Sequence, residues 1–251
     1  MPQLLTLENI QKYRNEHQDE LKIIQQFKKW FESSEQINDE EAERMIQSLY
    51  QTTLFNLSLK PSPFTFDDQK KCVEHIILDE LYELLFISQD HLDQDVELVE
   101  KMERMRMLSI DHFNLPKVFF LNTEIGKAMT YLSQINHKKT CYEKVECIHS
   151  FFRSIIYFND ETKQLNSDEV LEIIIYLIIH TASPLLYSNI SFIRTCNFNI
   201  SDENDYYLTQ LEIAIQSILF SSYEKVTNSS SPIVSKILLS QPLSYNTSFL
   251  L

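Results

Sequence analysis

Asn166-Ser167-Asp168-Glu169-Val170-Leu171-Glu172-Ile173-Ile174-Ile175-Tyr176-Leu177-Ile178-Ile179-His180 is the stretch on which the reading of the fold turns. Its β-branched content would also suit a buried strand. Its opening favours a helix, because Asn166 and Glu169 stand at the spacing of an N-terminal cap pair. A helix that is apolar on nearly every side belongs at the centre of a helical protein. The run is too short to span a membrane and is flanked by charge. We read it as the central helix of an all-α fold.

The chain on either side reads the same way. Ile10, Tyr13, His17, Leu21, Ile24, Phe27 and Phe31 recur at helical spacing behind Thr6 as N-cap, up to a break at 33–39. Met45, Ile46, Leu49 and Tyr50 share a face of a second helix. Pro61-Ser62-Pro63 is a connector. Thr65 and Asp68 then cap a third helix with the stripe Val73, Ile76, Ile77, Leu81, Leu84 and Leu85. A fourth helix over about 93–108 carries Val96, Val99, Met102 and Met105. Pro116 marks a break before a helix at 118–135. Thr140 and Glu143 form a capping box that opens a helix with Val145, Ile148, Phe152 and Ile155 inside. Beyond the central helix come a polar loop at 159–165 on its N-terminal side, a short helix at 185–194, an acidic loop at 201–205 and a helix at 206–220. The Ser/Asn-rich end offers Ile233, Val234, Ile237 and Leu238 for docking on the bundle.

Composition removes several functions. The 251 residues include one glycine, Gly126. Phosphate-cradling loops need glycine, so neither a Walker A loop nor a Rossmann fingerprint can be built. The formal net charge of −14 argues against nucleic acid and against a polybasic membrane anchor. Cys72, Cys141, Cys147 and Cys196 form no C-x-x-C pair and read as buried thiols in a reducing compartment. The N-terminus lacks the basic and apolar regions of a signal peptide, so sequons such as the one at Asn189 are read as chance matches and the protein as cytoplasmic. No H-E-x-x-H or G-x-S-x-G motif occurs. The expectation is no cofactor, no metal and no covalent chemistry.

Two stretches say more. One is the acid-led helix above, followed by Pro184, Ser188 and Asn189. The other is Asp205-Tyr206-Tyr207-Leu208-Thr209-Gln210-Leu211-Glu212. In order and spacing they resemble the vacuolar-protein-sorting-nine (Vps-nine) domain, whose pattern is an acidic pair opening an apolar helix, then Pro, Ser-Asn and Tyr-Tyr-x-Thr. Lys139-Thr140, Glu143, Lys144, Val145 and Ile148 fit the helix that precedes it. The likeness covers about 115–220. Glu172 departs from the pattern, which usually has proline there.

The resemblance implies a guanine-nucleotide exchange factor for an early-endosomal Rab-type GTPase. It implies an N-terminal helical bundle (1–114) packed against the exchange domain (115–222), followed by a tail (223–251). Asp168 would be the carboxylate that disturbs the Mg²⁺ and phosphate site of the GTPase. Tyr206 would anchor the partner and Thr209 hydrogen-bond its backbone. Asp168, Glu172 and Tyr176 are spaced as one helical stripe, and Tyr206, Thr209 and Ile213 as another. If the two helices are neighbours, these stripes form a partner groove, with Glu169, Pro184, Asn189 and Gln210 beside it. Recruitment to endosomal membranes would run through a partner. The competing reading is a non-catalytic helical Rab-binding adaptor, motivated by Glu172 and the acidic loop.

Overall fold

Side-chain caps fix where the principal helices begin. In the computed structural model, Asn166 Oδ1 accepts from Glu169 N (2.9 Å) and Glu169 Oε2 accepts from Asn166 N (3.0 Å), a reciprocal box. Thr140 and Thr65 accept from the backbone N–H groups of Glu143 and Asp68, both at 3.2 Å. The structure describes residues 7–34, 39–62, 64–86, 89–108, 110–113, 115, 123–156, 166–196 and 201–221. Among them are ten α-helices and no strand: α1 (Leu7–Glu16), α2 (Gln18–Ser33), α3 (Asp39–Ser58), α4 (Phe66–Phe86), α5 (Gln89–Met105), α6 (Thr123–Gln134), α7 (Cys141–Ile156), α8 (Ser167–Thr181), α9 (Leu186–Thr195) and α10 (Asp202–Phe220). Thr6, Pro116, the start of the helix expected at 118–135, the loop at 159–165 and the tail lie outside the described residues.

The decisive stretch is a helix. Along α8, Ile173, Ile174, Ile175, Leu177, Ile178 and Ile179 are all fully buried. Each such side chain contributes roughly 1.5–3 kcal/mol on leaving water. The burial is possible because α8 packs on α5, α6 and α10. The N-terminal helices dock onto this unit chiefly through α9, which touches α3, α4 and α5. All four cysteines are buried and unpaired.

Three expectations needed correction. The first helix is two: His17 leaves helical geometry (φ −120°, ψ 50°), and its ring packs on Tyr13 at 4.4 Å. The inner face of α5 matches the one read at Met102 and Met105 but departs from it in the first half of the helix. Val96 is 60% exposed, and the buried row is Asp95, Leu98, Met102 and Met105. At the first position of the row apolar spacing pointed to Val96, because the buried member there, Asp95, is a carboxylate. Finally, the acidic residues 202–205 form the first turn of α10 rather than a loop. Ser201 is the N-cap, and acids there face the positive end of the helix dipole.

α8 and α9 meet at a corner of 119°. Ala182 (φ 47°) caps α8 and Leu185 (φ 57°) precedes α9, both in the left-handed region that usually takes glycine. Among the described residues no single helix is long and apolar enough to cross a membrane.

Candidate functional site

Asp168 stands in the first turn of α8 and is exposed. Among the described residues it makes no ion pair or side-chain hydrogen bond. The acids beside it differ. Glu169 spends its carboxylate in the capping box, and Glu172 is buried. Tyr176 is half-buried, stacked on His180 (3.9 Å) and edge-on to Phe113 (5.2 Å). Burial raises the Tyr176 pKa and lowers that of His180. The expected stripe of Asp168, Glu172 and Tyr176 therefore reaches solvent mainly at its Asp168 end.

α10 does lie against α8. Along it, Tyr206 is 54% exposed and Ile213 is 42% exposed. Tyr207 points inward, stacked on Phe152 at 4.4 Å. Its hydroxyl donates to Glu203 (2.8 Å). Gln210 is half-buried, and Pro184 is exposed in the turn before α9. Thr209 is bonded within the chain: its hydroxyl donates to Asp205 O (2.9 Å) and accepts from Arg194 (3.0 Å).

Arg194, which the sequence reading passed over, is the centre of a cluster. Nε and Nη2 donate to the two carboxylate oxygens of Glu212 (2.7 and 2.8 Å), and Nη1 pairs with Asp205. The bonds to Glu212 raise the Arg194 pKa against the cost of burial. A cavity of about 200 Å³ between α9 and α10 is lined by Arg194 and Glu212 and by Tyr187, Ile190 and Ile215. The spacing of Asp205, Thr209 and Glu212 on one helical face was a legible signal. The arginine that joins them comes from another helix.

Ser188 and Asn189 are buried and bonded internally. Ser188 donates through N and Oγ to Asp95, which also accepts from Tyr187 N (2.8 Å). Asp95 thus caps α9 from α5. Burial raises its pKa, opposed by these bonds. Asn189 Nδ2 donates to Asn136 Oδ1 and to Leu185 O, both at 2.7 Å, and its Oδ1 accepts from Lys144. Lys144 is fully buried, and it also donates to Ile135 O (3.2 Å). Its ammonium lies 4.9–5.6 Å from the rings of Tyr82, Phe86 and Phe192. Burial pulls its pKa down to about 8. Asn189 was expected at the partner groove. Its side chain is instead fully enclosed by this network.

A larger cavity, about 380 Å³, lies between α4, α7 and the start of α10, beside Lys71, Tyr142 and Asn204. Glu74 lines it, accepting from Tyr142 N at 2.7 Å and so capping α7. Burial pushes its carboxyl up to about 7.

The described residues thus place an exposed acid, Asp168, at the head of α8 and two exposed side chains, Tyr206 and Ile213, on the neighbouring α10. Residues 125–222 match the family model of the Vacuolar sorting protein 9 (VPS9) domain. The chain is 26% identical over 221 residues to a Bos taurus protein named "Rab5 GDP/GTP exchange factor", with 80% of this chain and 44% of that protein covered. The Mus musculus protein of the same name is 26% identical over 233 residues, covering 85% and 47%. The Homo sapiens one is 25% identical over 156 residues, covering 58% and 32%. The chain spans less than half the length of each of these relatives.

Proposed function

We propose that this chain is a guanine-nucleotide exchange factor that promotes GDP release from an early-endosomal Rab-type GTPase, acting without covalent chemistry. The observation that carries this reading is Asp168. It is the exposed acid at the head of α8, next to neighbours whose carboxylates are a cap and a buried group. The VPS9 match and the names of the relatives support it.

A GTPase holds GDP through Mg²⁺, a P-loop lysine and backbone N–H groups. A carboxylate brought to that site pairs with the lysine, repels the phosphates and disfavours the Mg²⁺ arrangement. In a desolvated interface each effect is worth a few kcal/mol, and every ~1.4 kcal/mol is about tenfold in rate. Asp168 is the acid in this scheme. Tyr206 and Ile213 supply apolar contact for the partner. Asn189 serves as scaffold, holding the end of α9. Residues 1–114 act as the supporting bundle, 115–222 as the exchange domain and 223–251 as a tail. Recruitment to the endosomal membrane runs through a partner.

The adaptor alternative rests on Glu172 in place of proline. Because Glu172 is buried, it adds no acid to the surface, which supports exchange over passive binding. The test is release of fluorescent GDP from a panel of Rab GTPases. The intact chain is expected to accelerate release from an early-endosomal member, and Asp168→Ala to lose about a hundredfold of that acceleration. Unchanged release across the panel would refute exchange. GTP-dependent binding without release would establish the adaptor.

A further inference from the structure

Arg194 reaches from the last turn of α9 to α10 and there meets Asp205, Thr209 and Glu212. These three lie on one face across two turns of α10. The guanidinium donates four times: two bonds form a fork onto Glu212, one goes to Asp205 and one to the Thr209 hydroxyl. A planar fork held this way fixes rotation as well as distance.

Tyr206 follows Asp205 by one residue, and Ile213 follows Glu212 by one. One residue is a rotation of about 100° around a helix. The clamp on Asp205 and Glu212 therefore sets the direction in which the exposed pair faces. It also sets the polarity of Thr209. A hydroxyl has one proton and two lone pairs. The proton goes to Asp205 O and Arg194 takes one lone pair, so Thr209 has one acceptor position left to offer.

We propose that Arg194 is a positioning residue of the exchange surface: it fixes the face of α10 that presents Tyr206 and Ile213, and it holds Thr209 as an acceptor to which the partner must donate. This inference rests on the exchange reading above. A purely structural role predicts something else. The Arg194 side chain is 32% exposed and Asp205 52%. Ion pairs so exposed add little to global stability, so their loss should fall on the surface they orient.

The experiment compares wild type, Arg194→Met, Arg194→Lys, Thr209→Val and the Arg194→Met/Thr209→Val double variant of the full chain. Readouts are kcat/KM for fluorescent-GDP release, the urea unfolding midpoint and amide hydrogen exchange along α10. Arg194→Met is expected to lose about tenfold in kcat/KM, the effect of removing oriented charge-assisted hydrogen bonds, with the midpoint close to wild type. Amide exchange should quicken only in the first turns of α10. Arg194→Lys should recover part of the rate, because a lysine keeps the charge but not the fork. The two single losses should not add in the double variant. Wild-type kcat/KM in Arg194→Met, additive losses, or a rate that falls only in proportion to a lowered midpoint would each overturn the proposal. If wild type drives no release from any GTPase, the exchange reading fails on its own. The clamp is then decided by amide exchange: quickening confined to the first turns of α10 supports it, and an unchanged α10 in Arg194→Met overturns it.

Discussion

Ser188 and Asn189 on α9 and Tyr206 and Thr209 on α10 belong to the same short pattern, yet the fold treats them in opposite ways. The first pair is sealed inside, bonded to Asp95, Asn136 and Lys144. Of the second pair, Tyr206 stands more than half exposed and Thr209 sits at the edge of a charged cluster. Residues of one short pattern thus differ in place: Ser188 and Asn189 build the frame, and Tyr206 faces outward. Residue type does not separate them. Each of the four can hydrogen-bond, and only the partners reveal which bonds are internal.

The sharpest way to break this division is at Asn189. Asn189→Ala removes an acceptor from the buried Lys144 ammonium and is expected to lower the unfolding free energy by about 3 kcal/mol or more in urea denaturation. Lys144→Met should cost less, since a thioether needs no polar partner. A mild Asn189→Ala would mean that α9 does not depend on the buried network.

Acids at helix starts give a second contrast. Asp168 is exposed at the head of α8, whereas Glu74 caps α7 from inside. Burial raises the Glu74 pKa from 4.5 to about 7. The folded state therefore binds the proton more tightly than the unfolded state. Stability should fall as pH rises from about 4.5 to about 7 and stay lower above that. Glu74→Gln keeps an acceptor for Tyr142 N and removes the ionisation. It is expected to match wild type near pH 4 and to be more stable at pH 8, by on the order of 2–3 kcal/mol. Equal stability at pH 8 would show that the bonds to the carboxylate offset its burial.

The smallest effect is expected on the outward side. Tyr206→Ala should leave stability within about 0.5 kcal/mol, as exposed positions usually do. GDP release should still slow about tenfold if Tyr206 is an anchor. A large drop in the urea midpoint would place Tyr206 with the frame instead.

Much of the fold could be read from local signals. The capping residues Asn166, Thr140 and Thr65 act within three positions of themselves, and the apolar run of α8 carries its own period. What escaped the reading depended on contacts far apart in the chain. Asp95 is inside because Ser188, 93 positions away, needs its carboxylate. With a charged side chain inside at that position, the first half of the inner face of α5 was misplaced onto Val96. Lys144 is inside because Asn189, 45 positions on, accepts from it. Arg194 gathers α10 residues 11 to 18 positions further along. Asp168 could be singled out from its place in the pattern. Its lack of competition from Glu169 and Glu172 became visible only with the cap and the burial in view.

The corner between α8 and α9 bears on motion. A chain with a single glycine makes this bend with Ala182 and Leu185, each in a backbone region that costs a side-chain-bearing residue about 1 kcal/mol or more. Asn189 holds Leu185 O, and Asn136 holds Ser183 Oγ, so the costly shape is pinned on both sides. A glycine hinge would let α8 swing against α9; this joint acts as a weld. A partner docking on α8 and α10, as proposed, would meet a surface already set. Little conformational freedom then remains to be lost on association, and more of the contact energy is left to act on the partner.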